Sequence, residues 1–377
     1  MAATRVLVLG AGFGGLELSS RLARDLGEEV DVTLIDRNDA FVFGFSKLDL
    51  MFGQRQLSDV RIPYSELRHP SIHFHQETIT EIDPANRRVK TNGGAYDGDV
   101  LVVALGADYN VDGTPGLTEA GHEFYSVAGA ERLAEVLRAF AGGRVVIGVL
   151  GQPFKCPPAP SEAAFMTHDF LTAKGVRESS SITLIFPMGR PIPPSAPASA
   201  AIVEGFRQRG IEALFDCVVT ELDPQRKVAR INDGTEVGFD LFLGIPKHRV
   251  PDVVAASGMA VDGWIPVDAG NLSTRFEGVY AVGDVTSVGT PKAGMFAERA
   301  AGTVADTIIA KVRGLEAPPP FDGRGICYVE MGEGDVGRVD VAFLDGPGVK
   351  AEFTPPSEET RQEKDDFAAV RREHWFG

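Results

Sequence analysis

Cysteine is scarce in this sequence. Only Cys156, Cys217 and Cys327 occur in 377 residues, and they stand far apart. That spacing excludes a disulfide framework and a cysteine-rich metal cluster, so no metal is expected. Positive charge is also short: 37 Lys and Arg face 53 Asp and Glu, a formal net charge of −16. A surface of that sign repels phosphate backbones, which excludes nucleic acid as an expected partner and disfavours anionic lipid. No apolar run approaches the ~20 residues that cross a bilayer. No leader is visible, because the first core strand begins at Arg5 or Val6. The expected location is the cytoplasm, with peripheral contact on the inner face of the membrane left open. Hydrophobic content of 44% is ordinary for a globular chain with a sizeable core.

What is present organises itself around residues 5–36. A buried apolar run, Val6-Leu7-Val8-Leu9, leads into Gly10-Ala11-Gly12-Phe13-Gly14-Gly15. An amphipathic helix follows, with Leu16, Leu18, Leu22 and Leu26 on one face, and a β-rich run from Val30 to Ile35 ends in Asp36. Strand, glycine turn, helix, strand and acid form the dinucleotide-binding unit in its full context. Gly10 makes the tight turn, Gly12 lets the backbone approach a pyrophosphate, and Gly15 lets the helix sit close to the strand. The helix N-terminus offers free N–H groups to that pyrophosphate. Asp36, 21 residues after Gly15, is placed to accept hydrogen bonds from ribose hydroxyls.

Residues 37–70 are loop-rich, and Phe41, Phe43, Phe45, Leu48, Leu50, Met51 and Phe52 crowd there. Most read as core, with the wall of a cofactor cavity as the alternative. A hairpin is expected over 78–92, then a strand over 99–105 running into Gly106-Ala107-Asp108-Tyr109. The same phrase returns later. Glu81-Ile82-Asp83-Pro84 matches Glu221-Leu222-Asp223-Pro224 at an offset of 140, within residues 219–245. An internal duplication implies two related α/β units, and the second should carry its own nucleotide turn. It does not: after Arg144–Leu150 comes Gly151-Gln152-Pro153-Phe154-Lys155-Cys156-Pro157-Pro158. Prolines withhold N–H groups, and Lys155 and Cys156 stand where small residues belong. One dinucleotide per chain is expected.

Residues 276–285 form another apolar strand ending in Gly283-Asp284, and a helix is expected over 294–312. Ala317-Pro-Pro-Pro320 marks a boundary. Beyond it lie β-like runs (326–331, 338–344, 350–354) and a charged helix over 357–374 with a thin apolar stripe of Phe367 and Val370. Its charges read as a solvated face, with membrane contact through Trp375 and Phe376 as the alternative. The expected class is α/β: two Rossmann-like dinucleotide-binding-type domains of three-layer ββα build, plus a small α+β C-terminal region. The boundaries fall at 1–110 plus 265–315, 111–264, and 316–377.

These motifs together resemble the two-dinucleotide-domain flavoprotein reductases, on GAGFGG, ALGADY at 104–109 and VYAVGD at 279–284. Within that superfamily the chain is similar to sulfide:quinone oxidoreductase and the flavoprotein of flavocytochrome c sulfide dehydrogenase. Lys155-Cys156-Pro157-Pro158-Ala159-Pro160-Ser161-Glu162, Gly244-Ile245-Pro246 with Pro251, and Gly325-Ile326-Cys327-Tyr328-Val329-Glu330 carry that similarity. The resemblance implies FAD as cofactor. It implies contacts from Gly10, Gly12, Phe13, Gly14, Gly15, Asp36, Arg37, Ala104, Gly106, Gly283, Asp284, Lys292, Ala293 and Gly294. Asp284 maps onto the ribityl contact, and Lys292 with the following helix start onto the flavin pyrimidine end, where positive charge stabilises a reduced flavin. The flavocytochrome relatives tether FAD through an N-terminal cysteine; none precedes Cys156 here, so non-covalent FAD is expected.

The resemblance further implies a redox disulfide of Cys156 and Cys327 over the flavin, with Glu162 as acid/base and Lys155 favouring the Cys156 thiolate. Cys217 and His168 read as structural. The implied activity is oxidation of sulfide, or of a small thiol or persulfide, with electrons passed to a quinone or similar acceptor. Phe296, Phe321 and Tyr328 are candidates for the quinone pocket. Three alternatives stay open: a soluble flavoprotein disulfide or persulfide reductase, a single-subunit NADH:quinone oxidoreductase, and a non-catalytic flavin-binding protein. The missing second turn counts against NADH. A homodimer is also left open.

Overall fold

The computed structural model describes residues 2–377. Its first unit starts with β1 (Thr4–Leu9), α1 (Phe13–Leu26) and β2 (Val30–Asp36). Val6, Leu7, Val8 and Leu9 are all at most 1% exposed, as a strand covered on both faces requires. A short helix, α2 (Ser46–Met51), follows, then β3 (Ile72–Gln76) and β4 (Val100–Val103). The sheet runs parallel in the order Val279–Ala281, β4, β1, β2, β3. The glycine turn therefore leaves β1 where the strand order reverses, the crevice in which open parallel sheets bind ligands.

The second unit repeats the plan with β5 (Arg144–Val149), α3 (Ala159–Ala173), β6 (Ser181–Ile185), β7 (Ile211–Leu214) and β8 (Leu241–Ile245). Its sheet orders His122–Glu123, β8, β5, β6, β7, all parallel. The duplication read from sequence extends to fine detail. Ile79–Asp83, Arg88–Thr91 and Ala95–Asp97 form a three-stranded meander, and Val219–Asp223, Val228–Ile231 and Glu236–Gly238 form its copy. Each copy has a register shift at its start, and each turns through a non-glycine residue at positive φ: Arg87 at 51° and Lys227 at 51°.

The chain returns to the first unit through Val279–Ala281 and α4 (Gly294–Arg313), which packs beside α1. It ends in an antiparallel sheet, β9 (Arg324–Glu330), β10 (Val336–Ala342) and β11 (Lys350–Thr354), and a last helix, α5 (Glu358–Phe376). Ser357 caps α5, accepting a hydrogen bond from the Thr360 N–H. No helix among the described residues is long and apolar enough to cross a membrane.

The structure corrects the reading of α5. Trp375 and Phe376 are 3% and 5% exposed, so they meet protein rather than lipid. Trp375 sits edge-on to Phe13 and Phe41, donates from Nε1 to Glu17 at 2.9 Å, and shares that carboxylate with His374. Phe376 stacks on Tyr64. Several charges of α5 are paired instead of solvated: Lys364 with Glu330, Arg371 with Glu298, and Glu363 with Arg338.

Candidate functional site

A cleft of about 430 Å³ opens at the carboxyl end of β1. Gly10, Gly12, Phe13, Gly14, Asp36, Ala104, Gly106, Gly283, Asp284, Ala293 and Gly294 line it, and so do Lys155, Cys156 and Glu162. Residues drawn from both units thus meet around one cavity. The glycines differ in what they permit. A Cβ on Gly10, at φ +97°, would come within 2.6 Å of the Ala104 carbonyl oxygen. A Cβ on Gly15 would overlap the Gly10 carbonyl, so Gly15 lies beneath the turn and does not line the cleft. A Cβ on Gly12 meets nothing within 4 Å; the space before it is the cleft itself. α1 starts at Phe13 without a side-chain cap, so its first N–H groups are free. Asp36 accepts from the Ala11 and Asn38 N–H groups at 2.8 Å, which fixes its carboxylate at the rim.

Three expected contacts fall elsewhere. Besides Gly15, Arg37 is turned to the surface and pairs with Asp108 at 3.2 Å. Lys292 is directed away because residues 292–293 run extended and alternate sides, so Ala293 faces the cleft and Lys292 the opposite wall. Its Nζ donates to the carbonyls of Asp284 at 2.6 Å and Thr286 at 3.2 Å, over the Trp264 ring at 3.3 Å. Burial pulls its ammonium down to about 8, against the pull of Asp284 and with that of Lys155.

Lys155 also acts differently from expectation. Its Nζ donates to the Ala107 carbonyl at 2.8 Å and lies over Tyr109 at 4.4 Å. Burial lowers its affinity for a proton, but Tyr109, Asp284 and Asp108 outweigh that and hold it above its ordinary value. The cation that pulls on Cys156 is Lys47 of α2, which donates to the Tyr125 carbonyl at 2.6 Å. Tyr125 in turn donates to the Lys155 carbonyl at 2.9 Å. Buried His248 accepts from the Lys155 N–H at 3.2 Å through Nε2, and its Nδ1 lies 2.8 Å from the Pro246 carbonyl. Burial, then Lys155, pushes His248 down to about 3, so it is neutral and carries its proton on Nδ1. Lys47, Tyr125 and His248 position the 155–156 loop; none belongs to a recognisable motif.

Cys156 takes φ 52°, and its N–H donates to the Lys292 carbonyl at 2.7 Å. Burial raises its thiol well above the ordinary range, and Glu162 and Cys327 add to that. Cys327, on β9, is reached from the opposite side: it lines a second cavity of about 560 Å³. Burial, Glu162 and Asp340 push its thiol up to about 12. The two sulfurs are not bonded to each other. Glu162, 3% exposed, acts on both thiols and accepts from the Glu330 N–H at 3.1 Å. Burial raises its carboxyl to about 7, opposed by Lys364 and by the hydrogen bond from the Glu330 N–H, and aided by the negative charges of Glu330 and Asp49.

The expected quinone aromatics are not together. Phe296 lines the second cavity, Phe321 is core, and Tyr328 packs against Phe367. Phe41, Phe45 and Leu48 line the cleft, whereas Leu50, Met51 and Phe52 are core. Cys217 and His168 line neither cavity; the Cys217 thiol donates to the Phe215 carbonyl.

Two crossover sheets with a glycine turn at the first switch point define a class, and the sequence agrees. Residues 4–303 match the pyridine nucleotide-disulphide oxidoreductase family, and the chain belongs to it. It is 28% identical to the sulfide-quinone reductase of Aquifex aeolicus over 362 residues, covering 88% of this chain and 82% of that one. It is 24% identical to the mitochondrial sulfide:quinone oxidoreductase of Mus musculus over 344 residues, 87% of this chain and 75% of that one. The crystal structure of the Aquifex aeolicus sulfide:quinone oxidoreductase superposes with a TM-score of 0.86 at 24% identity, over 99% of this chain and 92% of that one.

Proposed function

We propose that this chain is an FAD-dependent oxidoreductase that oxidises sulfide, or a small thiol or persulfide, through Cys156 and Cys327 and passes the electrons to a quinone-class acceptor. One observation carries the reading: the cleft framed by the glycine turn and Asp284 also holds Cys156 and Glu162, while Cys327 approaches the same carboxylate from a separate cavity.

The cleft fits FAD held without a covalent bond. The free N–H groups of α1 would hold a pyrophosphate, Asp36 would accept from ribose hydroxyls, and the open space at Gly12 would admit the phosphates. Asp284 and the uncapped start of α4 line the same cleft and would hold the flavin end of the cofactor. When bound, FAD supplies a two-electron acceptor that the thiols and the terminal acceptor share.

The protein's own part is sulfur and proton chemistry. In the oxidised pair, hydrogen sulfide enters the apolar second cavity as the neutral molecule, gives up a proton to Glu162 and meets Cys327 first. It forms a new S–S bond there, the Cys156–Cys327 bond breaks, and Cys156 leaves with the electron pair as a thiolate on the cleft side. Cys327 then carries a persulfide. Lys47 favours the Cys156 thiolate, and Glu162, poised near neutrality, exchanges the proton.

The test is anaerobic mixing of the flavin-loaded protein with sulfide while the flavin absorbance is followed. Bleaching is expected. Cys156→Ser and Cys327→Ser should retain flavin and lose about a hundredfold or more of the bleaching rate. Undiminished rates in both variants would remove the thiols from the reaction.

A further inference from the structure

The second cavity lies where a dinucleotide would sit on the second sheet. It is built by the loops that leave the carboxyl ends of β5 and β6, residues 151–158 and 186–194, with β9 and β10 as its far wall. Both recognition features for a nucleotide are gone. The glycine turn is replaced by a proline-rich loop, and Phe186-Pro187 follows β6 where an acid would meet the ribose. What remains is a chamber walled by Phe154, Ile192, Trp264, Phe296, Val341 and Phe343. Lys292 is the one charged residue among the described residues that line it, and its ammonium is already committed to two carbonyls and the Trp264 ring.

The chamber is open to solvent at Gln152, Pro153, Ser287 and Gly289, all exposed, and narrows onto buried Phe154, Phe296 and Val339. Cys327 stands in that wall. A volume of about 560 Å³ is the size of an organic ligand site and far exceeds what hydrosulfide needs. A charged ligand would lose its water there and find no free partner, which is costly; an apolar one gains by burial.

We propose that this chamber binds an apolar organic thiol, which accepts the outer sulfur of a persulfide on Cys327. The proposal rests on the reading of Cys327 as the persulfide carrier. The thiol R–SH gives its proton to the Glu162 carboxylate, and its sulfur attacks the outer sulfur of Cys327–S–SH. A bond forms between R–S and that sulfur, the bond to Cys327 breaks, and R–S–SH departs. Cys327 keeps the electron pair and takes up one proton, so no net oxidation occurs and no further reactant is needed. Glu162 is the carboxylate nearest in effect to Cys327 and supplies that proton. The high proton affinity of Cys327 leaves it as a thiol afterwards.

Two measurements separate this from the sulfide reading. In the first, anaerobic protein with its cysteines reduced is treated with octyl methanethiosulfonate or its sulfonatoethyl analogue, each normalised to its rate with free cysteine. Modification of Cys327 is read by peptide mass spectrometry. The octyl reagent should label Cys327 about tenfold faster or more; equal rates, or faster labelling by the anion, would overturn the apolar site even if sulfide bleaches the flavin. In the second, the flavin-loaded protein turns over sulfide with 2-phenylethanethiol or glutathione as acceptor, and the persulfide formed is trapped by alkylation. Half-saturation by 2-phenylethanethiol at about one-tenth the glutathione concentration or less supports the proposal; glutathione acting as well or better refutes it. Absence of any bleaching by sulfide would instead defeat the persulfide step while the labelling result still decides the chamber. Neither measurement needs a variant, so loss of folding cannot imitate either result.

Discussion

Glu162 concentrates the chemistry of the site in one side chain. Its carboxyl sits at about 7 against an ordinary 4.5, chiefly because burial disfavours the anion. The sign for stability follows. Between those values the folded chain holds a proton that the unfolded chain has released, so stability is intact below pH 4.5 and is lost as pH rises through 7. The loss through this group is about 3 kcal/mol. Glu162→Gln keeps the shape and removes the charge. Urea midpoints at pH 5 and pH 8 should therefore lie closer together in the variant than in the parent; an unchanged gap would mean that Glu162 titrates normally. Glu162 was legible because it follows Cys156 by six residues in a recognisable phrase. Lys47 and His248 were not legible, since a single lysine or histidine acquires its role only from the carbonyls and rings that folding brings to it. Cys327 is intermediate: 171 residues separate it from Cys156, and only the resemblance joined them. The structure adds that they face different cavities.

Among the elements, the glycine turn was fully readable, whereas α5 was readable as a helix but not in what it packs against. The turn depends on local backbone demands that glycine alone meets, such as the positive φ and close contact at Gly10. α5 shows only a weak apolar stripe, and its real partners, Glu17, Glu298 and Glu330, lie far away in sequence. Trp375 braces Phe13 and Phe41, both of which line the cleft. Trp375→Ala should cost about 3–5 kcal/mol and loosen the turn. The expected result is a lower unfolding temperature together with flavin lost on gel filtration. A variant that unfolds earlier but keeps stoichiometric flavin would show that the brace serves stability alone.

On the scale of the whole molecule, two copies of one plan have diverged. Their meanders agree down to the residues at positive φ, Arg87 and Lys227; the repeated sequence phrase foretold a hairpin in each copy but neither the third strand nor that backbone detail. The crevices have parted: one keeps free N–H groups and an acid, the other holds prolines, aromatics and Cys327. NADH should accordingly neither bleach the flavin nor show saturable binding at the second sheet by equilibrium dialysis. Saturable binding at micromolar concentration would reassign the prolines as a tolerated variant of a nucleotide turn. The apolar character of that crevice escaped the sequence because its walls come from stretches scattered between Gln152 and Phe343, each unremarkable alone.

The docking of Trp375 against Phe13 also orders events in time. A ribosome reads the glycine turn early and the tryptophan that steadies it hundreds of residues later. The seat for the cofactor therefore stays without its brace until α5 has been made and has folded back, so a chain still lacking that helix should hold flavin less firmly than one that has it.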